Sequence, residues 1–174
     1  MKKVIVLLIL FSTLIFSQDN KYKKFDYLIG KWNGIGSGFG NEKSVINSEF
    51  NFVMQGKYIE VINDSKFEPT TKKPNGEHHI DKGFISYDAT RDLFVFRQFH
   101  IEGFVIQYTL VDSLSSNSKL VFESEEIENF VTGGKARWTI SKVTGNAIET
   151  IFDVSMPDKG YKCFGENKLI RMSK

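Results

Sequence analysis

Ten runs of strand-forming residues, joined by connections mostly too short to hold a helix, restrict this chain more than any other feature. The runs are Lys31–Phe39, Ser44–Met54, Lys57–Phe67, Ile80–Tyr87, Leu93–His100, Gly103–Val111, Lys119–Glu128, Lys135–Val143, Ala147–Met156 and Gly160–Arg171. Gln55-Gly56, Gly133-Gly134 and Gly145-Asn146 between them predict tight hairpin turns. Asp88 to Asp92 predicts a slightly longer turn, and Glu68 to His79, with two prolines and Asn75-Gly76, the one long loop. Lys24–Leu28 alone suggests a helical turn. Strands joined this way pair with their sequence neighbours, which gives an up-and-down meander. Closing the meander removes its exposed edges. The expected fold is all-β: a closed up-and-down antiparallel barrel of about ten strands with a short N-terminal helical turn.

Alternation within the runs supports this. Ile46, Phe50, Phe52 and Met54 share one face, and Asn47, Glu49 and Asn51 the other. Ala136, Trp138 and Ile140 oppose Lys135, Arg137 and Thr139 in the same way. Such period-two patterning fits a sheet with one dry and one wet face. Leu93–His100 and Phe104–Tyr108 are apolar on both faces. Their outer residues predict either a homodimer interface or packing beneath the long loop. In Phe25–Gly36 a short apolar turn leads into Gly30-Lys31-Trp32, and glycines recur at 34, 36 and 38. The Trp is expected to plug one end of the barrel, and the glycines to let a strongly bent first strand cross its floor.

Lys2 and Lys3, the apolar stretch Val4 to Phe16, and the small or polar Ser17, Gln18 and Asp19 read as a secretory signal. The apolar stretch is short for a membrane span. Residues 1–17 are expected to be removed, leaving one β-barrel domain over 18–174 that is exported, periplasmic or secreted, with no stable membrane insertion. Lys+Arg number 23 and Asp+Glu 21, so losing Lys2 and Lys3 leaves a formally neutral chain. That balance carries no nucleic-acid footprint. Cys163 is the one cysteine. The fold therefore rests on its core and not on an internal disulfide.

Leu28-Ile29-Gly30-Lys31-Trp32-Asn33-Gly34-Ile35-Gly36, the Glu49-Phe50 to Gly56 segment, Gly83-Phe84-Ile85 and His100-Ile101-Glu102-Gly103 follow one another in an order and spacing that resembles the calycin superfamily. The nearest resemblance is to nitrobindin-type barrels and related lipocalin-like domains of uncharacterised function, over most of the chain. It implies a barrel with a small-molecule interior. In nitrobindins it also implies haem b, ligated by a His on the last strand in a Leu-Thr-x-His-Leu segment. Counting back from Leu169-Ile170-Arg171, that position holds Phe164, beside Cys163, and no His follows His100. Neighbouring strand residues point to opposite faces, so Phe164 and Cys163 face the interior together only across a bulge.

The residues expected to line a ligand are Trp32, Phe50, Phe52, Met54, Tyr58, Gln98, His100, Tyr108 and Phe152. Apolar walls with a few polar tips are what orienting a small apolar or amphipathic molecule requires. Arg97, Gln107 and Tyr161 are further polar tips whose side of the sheet the pattern leaves open. Glu60 facing inward would need a partner such as Arg97. His100 and Cys163 are the candidate haem ligands in place of the missing His. The adjacent His78 and His79 read as part of a solvated loop, because neighbours in an extended segment diverge. Glu123, Glu125, Glu126 and Glu128 read as a solvated face. No Ser/His/Asp arrangement, phosphate-binding Gly loop or CxxC pattern is present. Four readings follow: a binding barrel for an apolar or amphipathic ligand, a haem protein with an altered ligand, an enzyme with a polar cavity, and a barrel filled by its own aromatics that acts through its surface.

Overall fold

A computed structural model describes residues 20–38, 42–71 and 73–173. The expected signal segment, 1–17, lies outside the described residues. The ten strands are β1 (Gly30–Gly38), β2 (Glu42–Val53), β3 (Tyr58–Phe67), β4 (Glu77–Asp88), β5 (Leu93–His100), β6 (Val105–Leu110), β7 (Lys119–Glu128), β8 (Lys135–Thr144), β9 (Ala147–Ser155) and β10 (Lys162–Arg171). Each pairs antiparallel with its sequence neighbours, and β1 pairs with β10, which closes the barrel. No helix among the described residues is long and apolar enough to cross a membrane.

The two ends are built differently. One carries the β2–β3, β4–β5, β6–β7 and β8–β9 connections together with a 3-10 turn, Asn20–Phe25. That turn drives Tyr22, Phe25 and Leu28 into the barrel, where all three are buried. Phe25 meets Phe94 edge-on at 4.8 Å, and Tyr22 meets Phe94 at 5.1 Å. The Tyr22 hydroxyl donates to Lys57 O at 2.5 Å and accepts from Tyr87 N at 3.1 Å, so the plug is bonded to two hairpins. Trp32 is buried beside it, with its indole N–H on Leu28 O at 2.7 Å. The last strand clamps the arrangement. Arg171 donates from Nη1 to Ile29 O at 2.6 Å and from Nη2 to Tyr27 O at 2.5 Å, and its guanidinium lies 4.2 Å from the Trp32 ring.

Above the plug, Phe50, Phe96, Tyr108, Phe122 and Trp138 form an aromatic layer across the barrel. Phe96 and Trp138 are 5.0 Å apart, and Phe96 stacks on Tyr108 at 5.6 Å. The barrel is tight where β1 crosses β10: a Cβ on Gly34 would lie 1.9 Å from Lys168 O, so only glycine fits there. Beyond the aromatic layer the interior is open.

Several sequence expectations change. The β7–β8 connection is longer than a tight Gly133-Gly134 turn, since β7 ends at Glu128 and β8 starts at Lys135. Glu60 points outward and pairs with Lys82 at 2.8 Å, so it does not need Arg97, which is itself exposed. The long loop does not cover the outer face of β5 next to its hairpin: Phe99 is 51% and Ile101 58% exposed, while Val95 further along the same face is buried.

Candidate functional site

The open half of the barrel is a cavity of about 560 Å³ at the end carrying the β1–β2, β3–β4, β5–β6, β7–β8 and β9–β10 connections. Ile46, Phe67, Phe104, Ile106, Ile127, Trp138, Phe152, Val154 and Phe164 give it apolar walls. Its interior is therefore filled over one half and open over the other, which corrects the reading of a barrel packed throughout by its own aromatics.

One wall is polar, and the length of β4 is what makes it so. The strand begins at Glu77, because β3 runs on to Phe67 and pairs Phe67 with Glu77, Ser65 with His79 and Asn63 with Asp81. Alternation from that start puts Glu77, His79 and Asp81 on the cavity side. His78 points outward to Asp64 at 3.1 Å. His79 is thus not part of a solvated loop. The sequence signal was present in Glu77-His78-His79-Ile80-Asp81, which follows directly on the Asn75-Gly76 turn. Its few apolar residues hid the strand.

Opposite β4, Gln98 and His100 on β5 face inward, and the β5–β6 hairpin brings Glu102 to the rim. That hairpin is fixed: His100 N donates to Phe104 O at 3.0 Å, Gly103 N donates to His100 O at 2.9 Å, and Gly103 takes φ +91°, which favours glycine. The polar groups meet across the β4–β5 pairing. His100 Nδ1 is 2.8 Å from Asp81 Oδ1. His79 Nδ1 contacts Glu102 Oε1, and its Nε2 is 3.6 Å from Glu77 Oε2. Glu77 also pairs with Lys73, whose hydrogen bond holds the Glu77 carboxyl below its usual range. His100 Nε2 is buried with no hydrogen-bond partner among the described residues. Two inward positions deeper, level with Phe96, the Tyr108 hydroxyl is also buried without a partner among the described residues. Burial pushes it well above the ordinary tyrosine range, and the Asp81 charge adds to the shift.

Of the residues expected to touch a ligand, Gln98, His100 and Phe152 line the cavity. Tyr108 and Phe50 lie in the aromatic layer beneath it, and Trp32 at the plug, all three buried. Phe52 packs on Tyr22 at 5.9 Å, at the plugged end. Met54 is 66% exposed in the β2–β3 turn, because β2 ends at Val53 and the chain turns through positive φ at Met54, Gln55 and Gly56. Tyr58 precedes the inward Ile59 on β3 and so points to the outer face. The residues the pattern missed are Glu77, His79, Asp81 and Glu102.

The haem implied by the nitrobindin resemblance does not fit these residues. The register of β10 against β9 shifts between Cys163 and Gly165, and Phe164 at that bulge lines the cavity where the family has its His. Cys163 is exposed, with its Sγ 3.7 Å from Gly165 O, and partial desolvation together with the nearby Asp153 charge pushes its pKa up, away from the thiolate a metal needs. The imidazoles on the cavity side, His79 and His100, stand among Glu77, Asp81 and Glu102, and that concentration of carboxylates disfavours a group that itself carries two carboxylates.

The fold is a closed ten-stranded up-and-down barrel, plugged at one end and hollow at the other, a shape that fits calycin-type barrels. No protein-family model and no curated protein sequence matches the chain. Among solved structures it is similar to Rv2717c from M. tuberculosis, with 13% identity, 87% of this chain and 97% of that chain covered, and a TM-score of 0.59. It is more distantly similar to EF1p2_mFAP2b bound to DFHBI, at 9% identity, 84% and 94% coverage and a TM-score of 0.45. A de novo designed fluorescence-activating β-barrel gives 13% identity, 84% and 94% coverage and 0.41. The first likeness is one of fold.

Proposed function

We propose that this protein is an exported binding barrel that holds a small amphipathic molecule in the open half of its interior. The observation that carries the reading is a cavity of about 560 Å³ with apolar walls on most sides and one polar wall of Gln98, His100, His79 and their carboxylates. Pockets of this size, mostly apolar with a few convergent polar groups, are the usual form of a small-molecule site. The apolar part of the ligand would lie over Trp138 and against Ile46, Ile106, Phe152 and Val154, where each buried methylene contributes about 0.8 kcal/mol. Its polar end would meet the β4–β5 wall. The excess of carboxylates there favours a hydrogen-bond donor or a cation over an anionic head group.

Titration with the neutral fluorophore N-phenyl-1-naphthylamine tests this. Saturable binding is expected in the wild type. Ala136→Phe places a large ring in the cavity and is expected to weaken binding at least tenfold while leaving the circular dichroism spectrum unchanged. Equal affinity in the two proteins would contradict the reading.

A further inference from the structure

We infer that the polar wall is a binding site for a divalent first-row transition-metal ion, held by His100, Asp81 and Glu102. One donor atom from each of the three residues lies within 4.8 Å of the other two. Metal–ligand bonds near 2.1 Å set donors roughly 3–4 Å apart, a spacing that side-chain rotation reaches from here. The site goes beyond the cavity's role in holding an organic molecule and does not depend on it.

Three observations support it. First, the donors come from two paired strands and one tight hairpin, a frame that does not need ordering before an ion binds. Second, the ring of His100 is committed at one nitrogen only: Nδ1 lies against Asp81, while Nε2 is buried and has no partner among the described residues. With its proton on Nε2, the neutral imidazole turns the Nδ1 lone pair toward Asp81, and that nitrogen is the ligand position the site uses. Third, the charges do not balance. Glu77 has Lys73, but the ion-pair partners of Asp81 and Glu102 are the imidazoles of His100 and His79, which offset a carboxylate only when protonated. A divalent ion supplies the missing positive charge, and His79 then holds Glu102 from outside as a positioning residue, as imidazole–carboxylate pairs do around metals. Imidazole with carboxylates suits Zn²⁺, Mn²⁺, Fe²⁺ or Co²⁺, and Ca²⁺ or Mg²⁺ less well. Glu102 is exposed at the rim, so an ion reaches the site from the open end.

The test is calorimetric titration of the metal-stripped full chain with Zn²⁺, repeated with Co²⁺ to record its visible absorption bands, and with Ca²⁺. One equivalent of Zn²⁺ is expected to bind, Co²⁺ to give ligand-field bands, and Ca²⁺ to bind more weakly. His100→Ala and Glu102→Gln should each weaken Zn²⁺ by about tenfold or more. His78→Ala, which alters the neighbouring outward imidazole, should leave it unchanged. Glu102→Gln sits on an exposed hairpin and removes only charge, so it stays informative should His100→Ala fail to fold. No saturable Zn²⁺ binding, an affinity unchanged in Glu102→Gln, or Ca²⁺ binding as tight as Zn²⁺ would each overturn the inference. N-phenyl-1-naphthylamine binding, measured beside it, separates failure of this site from failure of the cavity.

Discussion

Tyr108 shows how much a single atom weighs in this interior. Its ring is part of the aromatic layer, stacked on Phe96, but its hydroxyl is fully buried without a partner among the described residues. A lone buried hydroxyl costs stability and holds its proton tightly. Below about pH 10 the group is neutral in both folded and unfolded chains. Above that the unfolded chain releases the proton and the folded chain does not, so stability falls as pH rises. Tyr108→Phe is therefore expected to raise stability at neutral pH by about 1 kcal/mol. The gain should be larger near pH 10.5, as read by urea denaturation at both pH values. A loss at neutral pH would mean that the hydroxyl has a partner in solution. The arginine at the far end makes the opposite case. Arg171 reaches two carbonyls and the Trp32 face at once, a geometry that lysine cannot reproduce. Arg171→Lys is expected to cost about 1.5–3 kcal/mol in the same assay.

At the scale of elements, the strands were legible where alternation was strong, and β5 and β7 run between the residues the pattern gives. Of the plug, Trp32 was legible, but the turn that drives Tyr22 and Phe25 inside starts at Asn20, ahead of the Lys24–Leu28 turn the pattern gives. The start of β4 was not. Glu77-His78-His79-Ile80-Asp81 carries one apolar residue, and that residue faces out, so hydrophobic periodicity has nothing to register. Pairing with the extended β3, and not local preference, makes this segment a strand. The same blindness hid Glu102, whose place at the rim is set by a turn, and the bulge at Phe164, which lets that ring line the cavity while Cys163 stays outside. Met54 failed as a cavity residue because the strand pattern, continued by one residue into a turn, assigns a side to a residue that has none. Tyr58 is in β3 but on its outer face.

On the scale of the whole molecule, the sequence makes the container legible but not how much of it is occupied. Whether large residues fill a barrel depends on where they stack along its axis, and the chain places most of its inward aromatics in the plug and the layer above it. In the other half Phe67, Phe104, Phe152 and Phe164 stand around an open space, with one polar wall. That asymmetry defines the central claim: a ligand enters from one end and stops over Trp138. The two tryptophans sit on opposite sides of the boundary, Trp138 lining the cavity and Trp32 buried at the plug. The most direct measurement is contact quenching of tryptophan fluorescence by a brominated alkanol in Trp32→Phe, which keeps Trp138, and in Trp138→Phe, which keeps Trp32. The account predicts saturable quenching when Trp138 remains and almost none when Trp32 remains. Equal quenching of both, or of neither, would contradict it.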